Sequence, residues 1–115
     1  MDRFFNRNAA YSEGFNLPYA REFKRALEIP VICVGGFARR EAMERAIERG
    51  DCDMVSAARA LLADPHLYRH MKEGALGPRC TFCNACYARA SVHPTDCYEP
   101  AVREEKDRMM RARTA

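Results

Sequence analysis

The sequence has no uncharged apolar run near the roughly 18–20 residues that a membrane helix needs. Its first residues, Met1-Asp2-Arg3-Phe4-Phe5, contain no apolar core followed by a small-residue cleavage site, so no export signal is read there. It has little net charge: 19 basic against 16 acidic residues leave +3. The basic residues are almost all arginine, with only Lys24, Lys72 and Lys106 as lysines, and they interleave with Glu and Asp. That pattern reads as solvated helix faces rather than a stripe that tracks phosphates, so neither a nucleic-acid nor a membrane partner is expected. With 115 residues the chain is too short for a complete (β/α)₈ barrel, which takes about 200–250. Hydrophobic residues at 48% and charged residues at 30% fit a globular chain and argue against disorder throughout.

Cysteine is plentiful. Six are present, and Cys80, Cys83, Cys86 and Cys97 crowd into 18 positions. Without an export signal a reducing, cytoplasmic setting is expected. A disulfide framework is then disfavoured, and clustered thiols point to a metal or an iron–sulfur centre. The spacing is C-x₂-C-x₂-C-x₁₀-C. Short C-x₂-C steps let one loop present several thiolates, and a distant fourth closes the cage. A Cys₄ zinc site is the alternative, although zinc favours two separated pairs. Cys33 and Cys52 read as packing residues. His66 and His70, at i and i+4, have metal-compatible spacing but no third ligand nearby, and read as a surface pair.

The 1–16 segment reads as a loop with turn formers Asn6, Asn8, Ser12, Gly14 and Asn16. Asn16 is expected to cap a helix over 17–27, with Pro18 in its first turn. Ile29-Pro30-Val31-Ile32-Cys33-Val34 is continuous and apolar, which predicts a parallel strand buried on both faces, with Pro30 at its first residue. Arg39 to Arg49 predicts an amphipathic helix closed by Gly50. Met54-Val55-Ser56-Ala57 predicts a second strand. A helix starting near Ala58, a break at Asp64-Pro65, a restart to Glu73 and a stop at Gly74 follow. A cysteine loop then leads to a charged, loosely packed helical tail. Strand–helix–strand with such a helix is a parallel βαβ unit. Two strands are not a stable sheet by themselves. The sequence therefore reads as part of a larger α/β architecture, or as a chain that pairs with something, including a copy of itself.

Gly35-Gly36 falls where the first strand ends, and Ala58-Arg59 where the second ends. Ligands of α/β folds bind at those ends, and glycines let backbone N–H groups approach a phosphate. The plainer reading is a tight βα turn and a surface arginine.

The run from Pro30 to Gly36, with Asp53-Met54-Val55-Ser56-Ala57-Ala58-Arg59-Ala60-Leu61-Leu62-Ala63-Asp64-Pro65, resembles the C-terminal end of the NADH:flavin oxidoreductase family, the Old Yellow Enzyme-like FMN barrels. Arg79-Cys80-Thr81-Phe82-Cys83-Asn84-Ala85-Cys86 and Cys97-Tyr98-Glu99 resemble its iron–sulfur branch, which includes 2,4-dienoyl-CoA reductase and trimethylamine dehydrogenase. The resemblance spans residues 14–99. It implies an α/β chain that is a C-terminal fragment of a TIM (β/α)₈ barrel, with strands seven and eight at 31–34 and 54–57. Residues 1–78 would be the barrel segment, 79–99 the cluster loop and 100–115 the helical tail. It further implies FMN phosphate held by the backbone of Gly35, Gly36, Ala58 and Arg59, many members having Gly where this chain has Ala58. A [4Fe–4S] cluster would sit on Cys80, Cys83, Cys86 and Cys97. The family's substrate-binding His/Asn pair and proton-donating Tyr belong upstream of residue 1, so no catalytic residue is expected here. The parent would take hydride from NAD(P)H onto FMN and reduce an activated alkene or similar small molecule. No G-x-G-x-x-G follows Cys97, so the second dinucleotide domain of the dienoyl-CoA reductases is not seen. The competing reading is a small non-catalytic Cys₄ zinc or iron–sulfur module.

Overall fold

The computed structural model describes residues 13–114, which form two compact units, 13–57 and 58–114. Of the loop expected over 1–16, residues 1–12 lie outside the described residues. No helix among the described residues is long and apolar enough to cross a membrane.

The first unit is a βαβ element with a helix before it. Helix α1 (Leu17–Ala26) carries Pro18 in its first turn. It leads to strand β1 (Ile32–Val34), helix α2 (Arg40–Glu48) and strand β2 (Met54–Ser56). The strands pair in parallel, Ile32 with Met54, Cys33 with Val55 and Val34 with Ser56. Helix α2 ends as its glycine predicts. Gly50 takes φ +73°, its N–H donates to Ile47 O, and the Asp51 N–H donates to Ala46 O, a Schellman closure. The core gathers Ala20, Cys33, Phe37, Ala46 and Cys52, with Leu17, Ala42, Met43 and Val55 packed against it. Cys33 and Cys52 are thus packing residues, and burial pushes both thiols up from their ordinary range.

Two expectations change. Asn16 does not cap α1 with its side chain. Its Nδ2 instead donates to Val34 O at 2.7 Å, tying the helix start to the end of β1. Strand β1 is not buried on both faces. Cys33 is 3% exposed, but Ile32 and Val34 are 58% and 50% exposed, and Met54 on β2 is 48% exposed. The reason is the pleat. Alternate side chains point to opposite faces, and the described residues cover only the Cys33 face.

Capping of α2 comes from far away in sequence. The Glu13 carboxylate accepts the Ala38 and Arg39 N–H groups at 2.7 and 2.8 Å and pairs with Arg39 Nε at 2.6 Å. A carboxylate there meets free amides and the positive end of the helix dipole. These bonds outweigh partial burial and hold the Glu13 carboxyl below the usual carboxylate range. At the other end of the unit, Asp51, itself buried, pairs with Arg21 Nε at 2.7 Å. Asp53 takes the Val31 N–H at 2.8 Å and pairs with Lys24. Arg21 and Lys24 lie one turn apart on α1, so that helix is pinned to the turn that feeds β2.

The second unit is helical: α3 (Arg59–Ala63), α4 (Leu67–Glu73), α5 (Ala85–Arg89) and α6 (Pro100–Thr114). Its apolar core is Ala63, Cys97 and Val102, with Cys80 packed against it. Asp64, 1% exposed, organises the break between α3 and α4. It accepts the His66 N–H at 2.9 Å, and His70 Nδ1 lies 2.6 Å from its other oxygen. His70 is therefore a half-buried partner of Asp64 rather than a surface histidine. Gly74, at φ +67°, closes α4. The tail is helical, as expected, but better anchored than its charge suggests. Val102 and Lys106, one turn apart, are both buried, and Lys106 pairs with Asp96.

Candidate functional site

Gly35 and Gly36 follow β1 directly, are buried, and take φ +147° and +75°. Side chains rarely adopt such angles, so the turn requires glycine. A Cβ on Gly35 would lie 2.8 Å from Asn16 Nδ2 and 3.2 Å from Phe15 Cζ. The Gly35 carbonyl accepts the Gly14 N–H at 2.9 Å. The chain therefore passes very close to itself here, at the C-terminal end of a parallel strand, with the Phe15 and Asn16 side chains packed against Gly35.

Ala58 and Arg59 belong to the second unit, where Arg59 begins α3. Ala58 has φ −88° and ψ −61°, a right-handed helical conformation that a methyl group tolerates. The Arg59 side chain turns to the cysteine loop. Its Nη1 donates to Asn84 Oδ1 at 2.6 Å, and its guanidinium stacks 4.9 Å over the Phe82 ring.

The four cysteines singled out by spacing come together. Cys80, Cys83, Cys86 and Cys97 line one shallow cleft, with Arg59 and Asn84 in the same wall. All four are free thiols. Two devices shape the loop. Phe82 and Asn84 both have positive φ, 57° and 61°, which turns the chain sharply between successive cysteines. Asparagine tolerates that region, whereas for phenylalanine it is a strained exception. Second, α5 begins at Ala85 and carries Cys86 in its first turn. This short helix was not foreseen; the five residues Ala85–Arg89 are too few for an apolar period to show.

Backbone amides point at two of the sulfurs. The Phe82 N–H donates to Cys80 Sγ at 3.3 Å, and the Glu99 amide bonds the Cys97 thiol. Burial pushes both thiols up; the amides, with Arg59 beside Cys80 and Lys106 near Cys97, pull them back. Metal and cluster ligands must be thiolates, and amide donors and nearby cations favour that form. Four cysteine side chains are the donor type of a thiolate-bound centre, although burial leaves Cys80 and Cys97 above the ordinary thiol range. Among the described residues no three His, Cys, Asp or Glu side chains converge closely enough to hold a single metal ion.

The fourth cysteine is held by its neighbours. Asp96 Oδ1 accepts the Cys97 N–H at 2.7 Å and pairs with Lys106, and Arg103 approaches its other oxygen at 3.5 Å. The guanidinium groups of Arg89 and Arg103 lie 5.3 and 5.0 Å from the Tyr98 ring centre. Helix α6 therefore fixes Cys97 through a buried cation. The sequence marks Lys106 only as one charge in a charged tail, so this role was missed.

Residues 6–76 match the model of the NADH:flavin oxidoreductase / NADH oxidase family. The cysteine loop lies beyond the matched residues. Over 77 residues, 66% of this chain, it is 40% identical to a 4,4'-dithiodibutanoate disulfide reductase of Rhodococcus erythropolis, of which that stretch is 19%. It is 39% identical over 63% of its length to a bilirubin reductase of Mediterraneibacter gnavus, covering 11% of that protein. It is 36% identical over 64% of its length to an NADH oxidase of Thermoanaerobacter brockii, covering 12% of it. The chain thus spans about a tenth to a fifth of the length of these relatives.

Proposed function

The chain belongs to the NADH:flavin oxidoreductase / NADH oxidase family, and from that premise we propose that it contributes two functions to an FMN- and [4Fe–4S]-dependent oxidoreductase. One is the FMN phosphate grip, through the backbone of Gly35, Gly36, Ala58 and Arg59. The other is the cluster ligand set Cys80, Cys83, Cys86 and Cys97. The barrel segment, as strands seven and eight with their helices, would be 1–78, the cluster loop 79–99 and the tail 100–115.

The observation that carries the reading is the single cleft lined by all four cysteines. C-x₂-C-x₂-C spacing alone leaves open whether Cys97 belongs with the other three, and a cleft that all four line supports reading them as one set. The exposed face of Ile32, Val34 and Met54 supports the barrel reading. In a barrel, one face of each strand packs on the helices and the other fills the interior. Here α1 and α2 supply residues to the core around Cys33, and the bare face is the one that further strands would close over.

When bound, FMN carries hydride chemistry and the cluster carries single electrons. The chain's own part is binding and electrostatics. The glycine turn presents backbone without side chains, and the cysteine loop presents thiols with amides aimed at them. The parent would oxidise NAD(P)H and reduce a small organic substrate.

The test is anaerobic reconstitution of the chain with ferrous iron and sulfide, followed by iron and acid-labile sulfide analysis. About four of each per chain are expected for a [4Fe–4S] centre. Stoichiometric zinc without sulfide would overturn the iron–sulfur assignment. Serine at Cys97 should abolish loading, and serine at Cys33 should not.

A further inference from the structure

Arg59 has two faces. Its backbone opens α3, while its side chain runs to the wall of the cysteine cleft. Its partners there are the Asn84 amide oxygen, at 2.6 Å, and the Phe82 ring, at 4.9 Å. Neither carries charge. Two other cations near the loop are differently placed. Lys106 and Arg103 share the Asp96 carboxylate. Glu99, which also lines the cleft, turns its carboxylate to the Val102 N–H at 2.7 Å. Among the described residues no carboxylate pairs with Arg59, which thus brings a positive charge to the cleft.

Its two contacts fall on Phe82 and Asn84, the two non-glycine residues at positive φ among the described residues. These stand between Cys80 and Cys83 and between Cys83 and Cys86. One guanidinium therefore grips both turns of the C-x₂-C-x₂-C run. We propose that Arg59 is a positioning and tuning residue for the four-cysteine centre: it holds the loop in its doubly turned shape and sets the centre's reduction potential through a fixed positive charge.

The direction follows from electrostatics. Reduction adds a negative charge to the centre, and a nearby cation stabilises the reduced form. Net charge and hydrogen bonding are among the levers that set iron–sulfur potentials. Removing the charge should make the centre harder to reduce. The inference rests on the iron–sulfur reading above, and the experiment separates the two.

The full chain is reconstituted anaerobically with iron and sulfide, and its potential is measured by stepwise dithionite titration followed by electron paramagnetic resonance. Three variants are compared with wild type. In Arg59→Gln, about a tenfold fall in the reduced-to-oxidised ratio at fixed potential is expected, equivalent to 59 mV for a one-electron couple. In Arg59→Lys the charge stays, and the potential should remain near wild type. In Asn84→Gly the loop keeps a residue suited to positive φ while the guanidinium loses its anchor, so the shift should have the same sign and be smaller. Adding Asn84→Gly to Arg59→Gln should then lower the potential no further. If Arg59→Gln cannot retain a cluster, the Asn84→Gly shift decides. Wild-type potentials in the loaded charge-removing and anchor-removing variants would overturn the proposal and leave the iron–sulfur reading intact. A wild-type chain that takes up no iron with sulfide would overturn both.

Discussion

Replacing Gly35 with alanine should destabilise the first unit by about 2–4 kcal/mol. Two costs add. Gly35 has φ +147°, and holding a residue with a Cβ in so sparsely populated a region costs on the order of 1–3 kcal/mol. The new methyl would also sit 2.8 Å from Asn16 Nδ2. That amide is not free to swing away, because it donates to Val34 O at 2.7 Å. Moving it sacrifices a hydrogen bond with a net value of about 0.5–1.5 kcal/mol. Gly50 is the control. Its φ is +73°, but a Cβ there meets nothing within 4 Å, so Gly50→Ala should cost only the backbone strain, about 1 kcal/mol. The assay is urea unfolding followed by far-ultraviolet circular dichroism at one fixed protein concentration. Asn16→Ala removes both the hydrogen bond and the obstacle. Combined with Gly35→Ala it should therefore cost less than the sum of the two single changes, by about 1 kcal/mol. Gly35→Ala within about 0.5 kcal/mol of wild type would refute the reasoning. Strict additivity with Asn16→Ala would remove the steric half.

In the protein with its whole barrel, Gly36→Val should weaken FMN binding, corrected for folded fraction by flavin titration, more than Arg59→Lys does; equal affinity in wild type and Gly36→Val would remove the phosphate role from this turn. The isolated chain should self-associate with rising concentration in light scattering, because Ile32, Val34 and Met54 leave an apolar face and open strand edges exposed. Ile32→Thr with Val34→Thr should reduce that, and unchanged association would point elsewhere. Arg21 holds the Asp51 carboxyl below its ordinary value despite burial. A depressed folded pKa gives stability that is present above the unfolded value, near 3.9, and lost as pH falls through the folded one. Acid titration should therefore unfold wild type over a pH range where Asp51→Asn, already less stable at pH 7, shows a smaller pH dependence. Cys33 and Cys52 should react slowest of the six thiols with a neutral thiol reagent in the native chain, and equally with the rest in denaturant.

The βαβ order and its closures were legible because their signals are local. Gly50 and Gly74 end helices at φ +73° and +67°, and Pro18 starts one. What acts across distance was not. Glu13 caps α2 from 26 positions away, and Asn16, a natural helix cap by type, spends its side chain on β1 instead. Side-chain chemistry says that such a group will bond something; only the fold says what. Lys106 is the same case. Nothing local distinguishes it from its charged neighbours, yet it is buried beside Asp96 and steadies Cys97.

The error over strand burial is itself informative. An apolar Val31–Val34 run predicts cover on both faces, because a strand facing water on one side alternates. The structure covers one face and leaves the other, equally apolar, exposed. Sequence and structure agree under the proposal that a second layer comes from barrel strands beyond the described residues. The cysteine loop carries the same logic in reverse. Its spacing specifies four thiols and leaves their meeting unspecified, and the two positive-φ residues that turn the loop have no glycine signature to announce them. Arg59 is what the spacing could not contain. It stands 21 positions before Cys80, reads as one arginine among many, and reaches both turns of the loop. The cysteine spacing marks four thiols and leaves unmarked the charge that sits beside them.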